Sequence, residues 1–460
     1  MPELTPERDQ QFRRMRDTAR DIFSVALQNA SIASAFSRHV HCERGVLRIC
    51  EDLYDLNSYG RVFVVSIGKA AHTMATALEA QVGSRLEGIV ASSVYPASEV
   101  SVSLASAGQV RGFRYFRGGH PTPTAESIQA AEAILKSLGA LDVSSLVIFM
   151  LSGGGSSIVE KPIDDEITLP DLVATYRALV HSGAPIAEIN AIRKHLSAVK
   201  GGRLAQAAYP AQQVSILVSD VPDSTPDALA SGPTMPDSTS IYDCERIAAK
   251  YGLIEQLPSS VADLFRQHAL DETPKSDDPA FVRARWWTVL SNKVALEEAA
   301  IAATRAGFAV EVDNACDDWD YEKAADYLLN RLRELRSKVS RVCLLSGGEV
   351  TVTVRNGGVG GRNQQFALAC AEKISGDDIT VLSAGTDGID GNSPAAGAVV
   401  DGSTVLCAGI KTGNRAGGHH ILRGALAGFN AYPLFDALGD AIVTGPTGNN
   451  LRDLRILFAY

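Results

Sequence analysis

A glycine- and serine-rich loop follows a strongly hydrophobic segment near the middle of the first half of the chain. Residues 144–157 read SSLVIFMLSGGGSS, so three glycines stand where the chain leaves a predicted strand. Consecutive backbone N–H groups in such a loop can form a concave site for an anion, although glycine also serves tight turns that bind nothing. The candidate anion-binding residues are Ser152, Gly153, Gly154, Gly155, Ser156 and Ser157.

Two positively charged side chains are candidates for holding a phosphate. Lys69 follows a predicted strand at 61–68 and begins a predicted helix, where helix N–H groups and a compact cation would reinforce each other around an anion. Arg193 belongs to the run EINAIRKHLSAVKGGRLA, which places four cations around an apolar helical stripe. The alternatives are a solvated surface lysine and the charged solvent face of an amphipathic helix, in which His195 would be an ordinary helix residue.

Acidic residues follow the next predicted strand, QQVSILVSDVPDS at 212–224. Asp220, Asp223 and Asp227 stand there among proline and serine residues. Magnesium takes oxygen ligands and commonly uses one or two carboxylates together with substrate phosphates. Asp220 is therefore a candidate metal ligand or proton acceptor, and aspartates that cap turns and helices are the alternative.

The second half of the chain presents the same residue types in other loops. LLSGGEVTVTVR supplies Glu349, and GGVGGRNQQ supplies Arg362 after a glycine-rich stretch. SAGTDGIDGNSP supplies Asp387 and Asp390, and the last glycine-rich loop, GPTGNN, ends at Asn450. Acidic groups, basic groups and glycine-rich loops thus recur in both halves.

Short apolar runs that end in glycine-rich turns alternate with helical patterns along the chain. This alternation is typical of an α/β fold whose strands are largely parallel and covered on both faces. Ligands of open α/β sheets sit outside the carboxyl ends of the strands. We therefore expect the strand ends near residues 68, 152 and 220 to share one crevice.

A stretch rich in proline, serine and aspartate at 232–280 predicts the boundary between two lobes. A chain of 460 residues exceeds the usual size of a single core, so two domains are expected. We assign residues 1–236, with a helical N-terminal segment, to the first domain, 237–284 to a connecting segment, and 285–460 to the second domain.

The charge balance argues against nucleic acid and membrane partners. Lys plus Arg number 43 against 53 for Asp plus Glu, a net charge of −10, which repels phosphate backbones and anionic lipid. The seven cysteines lack any CxxC pair, so they predict reduced thiols rather than a disulfide framework or a zinc site. The N-terminal residues lack a signal-peptide pattern, and a cytoplasmic protein is expected.

Two common nucleotide-binding patterns do not match this chain. The pattern GxxxxGK[ST] fails both at the glycine-rich loop and around Gly68 and Lys69, which argues against a P-loop kinase. The pattern GxGxxG fails after the strand RVFVVSIG, which weakens a nicotinamide-dependent function.

Ten motifs in a fixed order carry a family resemblance that covers most of the chain after about residue 60. They read IGKAA, GGHPTP, LSGGGSS, NAIRKHLSAVKGG, SDVPDS, SGPT, LSGGE, GGRNQ, GTDGIDG and GPTGNN. In this order they resemble the glycerate 2-kinase family, whose C-terminal part is called the MOFRL domain. The resemblance implies a Rossmann-like N-terminal lobe, a separate α/β C-terminal lobe and an active-site cleft between the lobes for ATP, Mg²⁺ and D-glycerate. A homodimer is compatible with it.

The resemblance also implies roles for single residues. The functional residues of the family are one lysine, two aspartates, one glutamate, one arginine and a closing asparagine, and each has a counterpart in this chain. The family's closing motif resembles GPTGTNVNDL, so Asn449 and Arg452 are departures. The transferred positions are Lys69, Asp220, Glu349, Arg362, Asp387 and Asn450.

The predicted reaction is in-line transfer of a phosphoryl group from ATP to the 2-hydroxyl of D-glycerate, catalysed mainly by positioning and charge neutralisation. Lys69 and Arg362 would hold phosphate or glycerate oxygens. Asp220 or Asp387 would carry Mg²⁺ or accept the hydroxyl proton, and the sequence leaves this division open. An NAD(P)H-dependent hydroxypyruvate reductase and a non-enzymatic small-molecule sensor are the alternatives.

Overall fold

The first helix of the chain, α1 (Pro6–Asn29), packs with the last third of the sequence. Its buried Phe23 lies in one apolar cluster with Leu296 and Phe458. The computed structural model describes residues 5–83, 86–93, 112–354, 357–411, 413 and 415–460. It divides the chain into the parallel-sheet unit, Ile32–Val289, and the mixed-sheet unit, Met1–Ser31 with Leu290–Tyr460.

These units differ from the predicted domains at both boundaries. The N-terminal helix belongs to the mixed-sheet unit, because its apolar face is buried there. The predicted connecting segment 237–284 carries two helices whose Cys244 and Phe265 share an apolar cluster with Leu172 of the parallel-sheet unit. Its polar composition reflects helix caps and turns, such as Ser240 at the start of the first of these helices.

The parallel-sheet unit contains nine helices and nine strands within the described residues. The helices are α2 (Ile32–His39), α3 (Ala71–Val82), α4 (Ala125–Leu138), α5 (Gly155–Ile158), α6 (Leu169–His181), α7 (Ile186–His195), α8 (Arg203–Ala208), α9 (Ile241–Lys250) and α10 (Ser259–Arg266). The strands are β1 (Val40–Glu43), β2 (Val46–Ile49), β3 (Asp52–Asp55), β4 (Arg61–Ile67), β5 (Glu87–Ser92), β6 (Phe113–Arg117), β7 (Ser145–Ser152), β8 (Gln212–Val218) and β9 (Ala284–Leu290).

The main sheet of this unit has the order β6-β5-β4-β7-β8-β9, and β4 to β8 pair in parallel. Every residue of β7 is buried, as expected for a central strand covered on both faces. From β4 the chain winds first toward β6 and later, from β7, toward β9. The reversal leaves a topological switch point between the carboxyl ends of β4 and β7, where open α/β sheets bind their ligands.

The mixed-sheet unit places six further helices and six strands after α1 within the described residues. The helices are α11 (Asn292–Arg305), α12 (Tyr321–Arg336), α13 (Arg362–Lys373), α14 (Thr404–Lys411), α15 (Gly418–Ala427) and α16 (Ala431–Leu438). The strands are β10 (Ala309–Val312), β11 (Val342–Gly348), β12 (Ile379–Gly385), β13 (Gly397–Asp401), β14 (Ala441–Ile442) and β15 (Asp453–Ala459).

The order of the second sheet is β10-β11-β15-β12-β13-β14. The expectation of largely parallel strands holds for the sheet of the parallel-sheet unit. In the sheet of the mixed-sheet unit, β10 and β11 pair in parallel, and all other neighbouring strands pair antiparallel. The final strand β15 inserts between β11 and β12, so its first residue, Asp453, pairs with both Gly348 and Gly385. The ends of β11 and β12 therefore meet the start of β15 at one sheet edge.

Among the described residues, no helix combines the length and the apolar composition that a bilayer crossing requires. All seven cysteines lie in the described part of the chain and are free thiols.

Candidate functional site

The glycine-rich loop of the parallel-sheet unit runs from the end of β7 at Ser152 into the short helix α5. Gly154 adopts φ +81°, in the left-handed region that favours glycine. A methyl group added to Gly153 would lie 1.9 Å from Asp220 Oδ2. Only glycine lets the loop pass this close to the carboxylate, so the structure brings together two of the three predicted strand ends.

The third strand end is fixed onto the same loop. The backbone N–H of Lys69 donates to Gly153 O at 2.9 Å, and that of Ala70 donates to Ser152 Oγ at 3.1 Å. The Lys69 side chain is exposed and forms no ion pair with the described residues. Lys69, the glycine-rich loop and Asp220 thus meet at the switch point, as the crevice prediction required.

His120 joins this group and was missed as a site residue, although the motif GGHPTP contains it. A methyl group on Gly154 would lie 3.3 Å from His120 Nδ1 and 3.2 Å from Lys69 Cγ, so both side chains flank this glycine. His120 Nδ1 is 3.1 Å from Ser157 Oγ. Partial burial of the ring, and next the Lys69 ammonium, lower the pKa of His120 below its ordinary value, which keeps the imidazole neutral at neutral pH.

The other side of the loop contacts a strained turn. Ser156 Oγ lies 2.8 Å from Ser231 Oγ. Ser231 and its neighbour Ala230 have φ of +60° and +51°, and a methyl group on Gly155 would lie 2.7 Å from Ala230 Cβ. Left-handed backbone at residues other than glycine costs energy and is concentrated at functional sites. The motif SGPT begins at Ser231, which was the available signal.

The cationic run at 188–205 proves mainly structural. Lys194 bridges Asp227 and Asp237 at 2.9 and 3.1 Å, and the buried Lys200 pairs with Glu160. His195 is the predicted ordinary helix residue, since its Nδ1 contacts Ala191 O and its Nε2 contacts Glu272.

Arg193 is the remaining candidate of that run. Its guanidinium lies over the ring of Tyr176, 4.5 Å from the centroid. Its buried Nε has no hydrogen-bond partner among the described residues. An anion-binding role for Arg193 stays a prediction.

In the mixed-sheet unit, Arg362 begins α13 and holds two acidic groups. Its Nε and Nη2 bind Asp453 at 2.7 and 3.0 Å, and Nη2 also pairs with Glu349 at 2.7 Å. Burial opposes the charge of Arg362, but Asp453 and Glu349 outweigh it and raise the pKa of the guanidinium. Burial raises the pKa of Glu349 against the opposing charge of Arg362. The structure therefore pairs the predicted residues Arg362 and Glu349 directly, and it adds Asp453 as a second partner of Arg362, which the sequence analysis missed.

Arg455, which is fully buried, contacts both the backbone and a carboxylate of this cluster. Arg455 Nη2 donates to the carbonyl oxygens of Gly347 and Gly348 at the end of β11, the second at 3.1 Å. Its guanidinium lies 4.0 Å from Asp453. Arg455 thus holds the backbone that leads into Glu349.

Asp387 lines a cavity of about 520 Å³ in the same unit, together with Arg362. This volume lies in the range of small-molecule sites. One carboxylate oxygen of Asp387 accepts the N–H of Ile389 at 3.1 Å. The remaining lining residues are Val352, Val354, Gly357, Gly358, Gly360, Gly361, Ile389, Asp390, Gly391, Asn392 and Phe429.

Asp390 also lines the cavity, but its carboxylate caps α13. It accepts the backbone N–H groups of Asn363 and Gln364 at 3.0 and 2.9 Å. Burial raises its pKa to about 6. Asp390 therefore positions the helix start that carries Arg362. The predicted residue Asn450 lies at the end of the last glycine-rich loop, GPTGNN, where its Oδ1 accepts the N–H of Arg452 at 3.1 Å.

The carboxylates could supply some, but not all, of the ligands of a magnesium ion. Within the described residues no three His, Cys, Asp or Glu side chains group as a complete metal site. Mg²⁺ commonly binds one or two carboxylates and takes its other ligands from phosphates and water. Asp220 meets this requirement because it lies directly against a loop suited to phosphate.

Comparisons with known proteins identify the family of the chain. The family model "Domain of unknown function (DUF4147)" matches residues 18–266, and the model "MOFRL family" matches residues 342–453. A D-glycerate 2-kinase from Thermotoga maritima is 34% identical over 402 residues, covering 86% of this chain and 90% of the relative. A protein from Agrobacterium vitis that is provisionally named hydroxypyruvate reductase is 36% identical over 412 residues, covering 86% and 87%.

A crystal structure of glycerate kinase from Thermotoga maritima superposes with a TM-score of 0.81 at 31% identity, covering 97% of this chain and all of that chain. The sequence match therefore covers 86% of the chain and the fold match 97%. The chain belongs to the glycerate 2-kinase family with a C-terminal MOFRL domain.

Proposed function

We propose that this protein is an ATP-dependent glycerate 2-kinase that converts D-glycerate and ATP to 2-phosphoglycerate and ADP. The observation that carries the proposal is the meeting of Lys69, the loop 152–157 and Asp220 at the switch point of the parallel sheet. A cation, a row of backbone donors and a carboxylate are the groups that phosphoryl transfer needs.

Each group has a distinct task in this proposal. The backbone N–H groups of the glycine-rich loop and the Lys69 ammonium bind phosphate oxygens and neutralise the charge that spreads over the transferred group. Lys69 is suited to this because its ammonium forms no ion pair with a carboxylate among the described residues. Mg²⁺, held by Asp220 or Asp387, would supply further charge neutralisation when bound.

Arg362 binds an anionic oxygen in a different manner. Its Nε and Nη2 are occupied by Asp453 and Glu349, whereas Nη1 makes no hydrogen bond to the described residues. The two carboxylates hold the guanidinium plane in one orientation, and Arg362 lines the cavity beside Asp387, so binding of an anion by Nη1 would cost little further side-chain entropy. We propose that Nη1 binds the carboxylate of D-glycerate or a phosphate oxygen.

The reductase alternative has less support. The first crossover loop of the sheet reads Gly68, Lys69, Ala70, Ala71, where a dinucleotide cradle would have further glycines. A lysine at this position suits a phosphate better than it suits hydride transfer.

One pair of assays tests the proposal. The purified protein is incubated with D-glycerate, ATP and Mg²⁺, and separately with hydroxypyruvate and NADH or NADPH. ATP-dependent formation of 2-phosphoglycerate rather than the 3-isomer is the expected result. NAD(P)H oxidation without phosphorylation would establish the reductase, and no turnover in either assay would favour the sensor.

A further inference from the structure

We propose that His120 is the general base that accepts the 2-hydroxyl proton of glycerate, and that Ser157 holds its ring in the required tautomer. The inference rests on the proposed kinase activity and assigns to one residue a role that Asp220 and Asp387 would otherwise share. With His120 as the base, the carboxylates of Asp220 and Asp387 are both available to bind Mg²⁺.

The position of the ring is the first argument. His120 and Lys69 flank Gly154 from two directions, each within 3.3 Å of where a methyl group would stand. The imidazole is therefore beside the loop that we assign to the phosphates. It is exposed on its outer side, so a substrate can reach it.

The hydrogen bonds of Ser157 supply the second argument. Its Oγ lies 3.1 Å from His120 Nδ1 and 3.4 Å from Gly154 O. The single hydroxyl hydrogen of Ser157 can go either to Gly154 O, which can only accept, or to His120 Nδ1, and we assign it to Gly154 O. Ser157 Oγ then accepts a hydrogen from His120 Nδ1. The lone pair of the neutral ring is consequently on Nε2, which makes no hydrogen bond to the described residues.

The chemistry balances without a further reactant. The O–H bond of the glycerate 2-hydroxyl breaks and its proton moves to Nε2. The oxygen forms a bond to the γ-phosphorus of ATP, and the bond from that phosphorus to the β,γ-bridging oxygen breaks, leaving the electron pair on ADP. The imidazolium afterwards releases its proton to water. A neutral imidazole is required at the start, and partial burial of the ring, followed by the charge of Lys69, favours this form.

Kinetics of substituted enzymes test the role. His120→Gln keeps a polar side chain of similar length but cannot take up a proton, so kcat should fall roughly 100-fold. KM for ATP should change by less than about threefold, because the loop and Lys69 remain. The acid limb of the kcat/KM profile, which reports protonation of the base, should disappear. His120→Ala should be partly rescued by added imidazole.

A spectroscopic readout tests the tautomer independently of turnover. In protein labelled with ¹⁵N-histidine, the His120 signals are identified among the nine histidines by their loss in His120→Gln. We expect a protonated Nδ1 and an unprotonated Nε2, and Ser157→Ala should mix the two tautomers.

Three outcomes would overturn the inference: a parental acid limb in His120→Gln, no imidazole rescue of a folded His120→Ala, or a proton on Nε2. If the parent enzyme itself fails to phosphorylate glycerate, the proposed function fails instead. The two failures are thus distinguishable.

Discussion

Arg452 and Asp317 form a two-point ion pair, with Nη1–Oδ2 at 2.6 Å and Nη2–Oδ1 at 2.5 Å. Asp317 Oδ1 also accepts the backbone N–H of Glu349 at 3.0 Å. The pair therefore fixes the residue that contacts Arg362. Arg452 has φ +68°, a conformation in which asparagine is several-fold enriched, and asparagine is the residue that the family motif has at this position.

Arg452→Ala should lower the free energy of unfolding by about 1–2 kcal/mol. This is less than the cost of breaking a fully buried pair, because the Asp317 side chain is 27% exposed. Loosening of Glu349 should also reduce kcat/KM roughly tenfold. Urea unfolding and steady-state kinetics measure the two effects. Arg452→Asn is the matched control: it keeps a residue suited to the backbone, so it should lose less stability than alanine.

The same pair has a defined pH dependence. Burial opposes ionisation of Asp317, but the hydrogen bonds from Arg452 and from the N–H of Glu349 outweigh it, so the pKa is lowered below 3.8. A lowered pKa stabilises the fold at pH values above the ordinary pKa, and this contribution is lost as the pH falls through the folded value. The stability difference between the parent and Arg452→Ala should therefore shrink below about pH 4. A stability difference that stays unchanged when the pH is lowered below about 4 would contradict the assignment.

Gly153→Ala should strongly impair catalysis, because its methyl group would lie 1.9 Å from Asp220 Oδ2 and must displace the carboxylate. We expect kcat/KM to fall at least about tenfold and stability to fall by about 1–3 kcal/mol, the usual cost of overpacking. Gly424→Ala, on a helix where a methyl group meets nothing within 4 Å, should leave kinetics unchanged and raise Tm. Parental kinetics in Gly153→Ala would place Asp220 outside the reaction.

Lys69→Ala should abolish most turnover and leave the fold intact. The ammonium is exposed and unpaired among the described residues, so its loss costs little stability, whereas one preorganised charge is worth roughly 100-fold or more in rate. Both kcat and Tm are to be measured. Lys136→Ala, an exposed lysine of the same unit, should match the parent in both. Near-parental kcat in Lys69→Ala would show that this lysine is only a surface residue.

Removal of the metal should stop the reaction reversibly. EDTA should eliminate phosphorylation, and excess Mg²⁺ should restore it. Asp220→Asn or Asp387→Asn should raise the Mg²⁺ concentration needed for half-maximal rate, because an oxygen-rich site loses affinity with a charge. Asp165→Asn, whose side chain is 96% exposed, serves as the control. If both variants titrate as the parent does with unchanged kcat, neither carboxylate holds the ion.

Arg362→Lys should lose roughly tenfold or more in kcat/KM, equivalent to about 1.4 kcal/mol. A lysine cannot span both oxygens of Asp453 while also reaching Glu349. The contacts of Arg362 with Asp453 and Glu349 also predict a lower Tm for this variant. Arg331→Lys, a surface arginine paired with Glu311, controls for the loss of the guanidinium shape. Arg362→Lys with parental kinetics would leave no reason to include the mixed-sheet unit in the reaction.

The sequence predicted the parts of the site that depend on short-range pattern. Apolar runs before glycine identify the ends of β4 and β7, and parallel pairing then requires Lys69, Gly153 and Asp220 to meet. Asp453 was not predictable in this way. Its role depends on the insertion of β15 between β11 and β12, which long-range pairing decides. His120 was missed because its relation to Ser157 depends on the path of a loop.

The domain boundaries show the same limit. The periodicity of α1 predicts a helix with one apolar face, but no local signal says which cluster that face enters. The polar stretch around Asp237 was interpreted as a linker, although Asp237 is buried against Lys194. A composition rich in proline, serine and aspartate marks helix caps and turns inside a unit as readily as it marks a linker between units.

The packing of α1 makes the mixed-sheet unit discontinuous in the chain, because residues 32–289 form the other unit. A ribosome synthesises the helix first and its apolar partners Leu296 and Phe458 much later. Until then the face of α1 that carries Phe23 has no native surface to cover it, and it is open to chaperones or aggregation. Expression of residues 290–460 alone should leave exposed the apolar surface that α1 covers, including Leu296 and Phe458. A stable mixed-sheet unit for biophysical work thus requires the N-terminal helix to be joined back to it, for example by circular permutation.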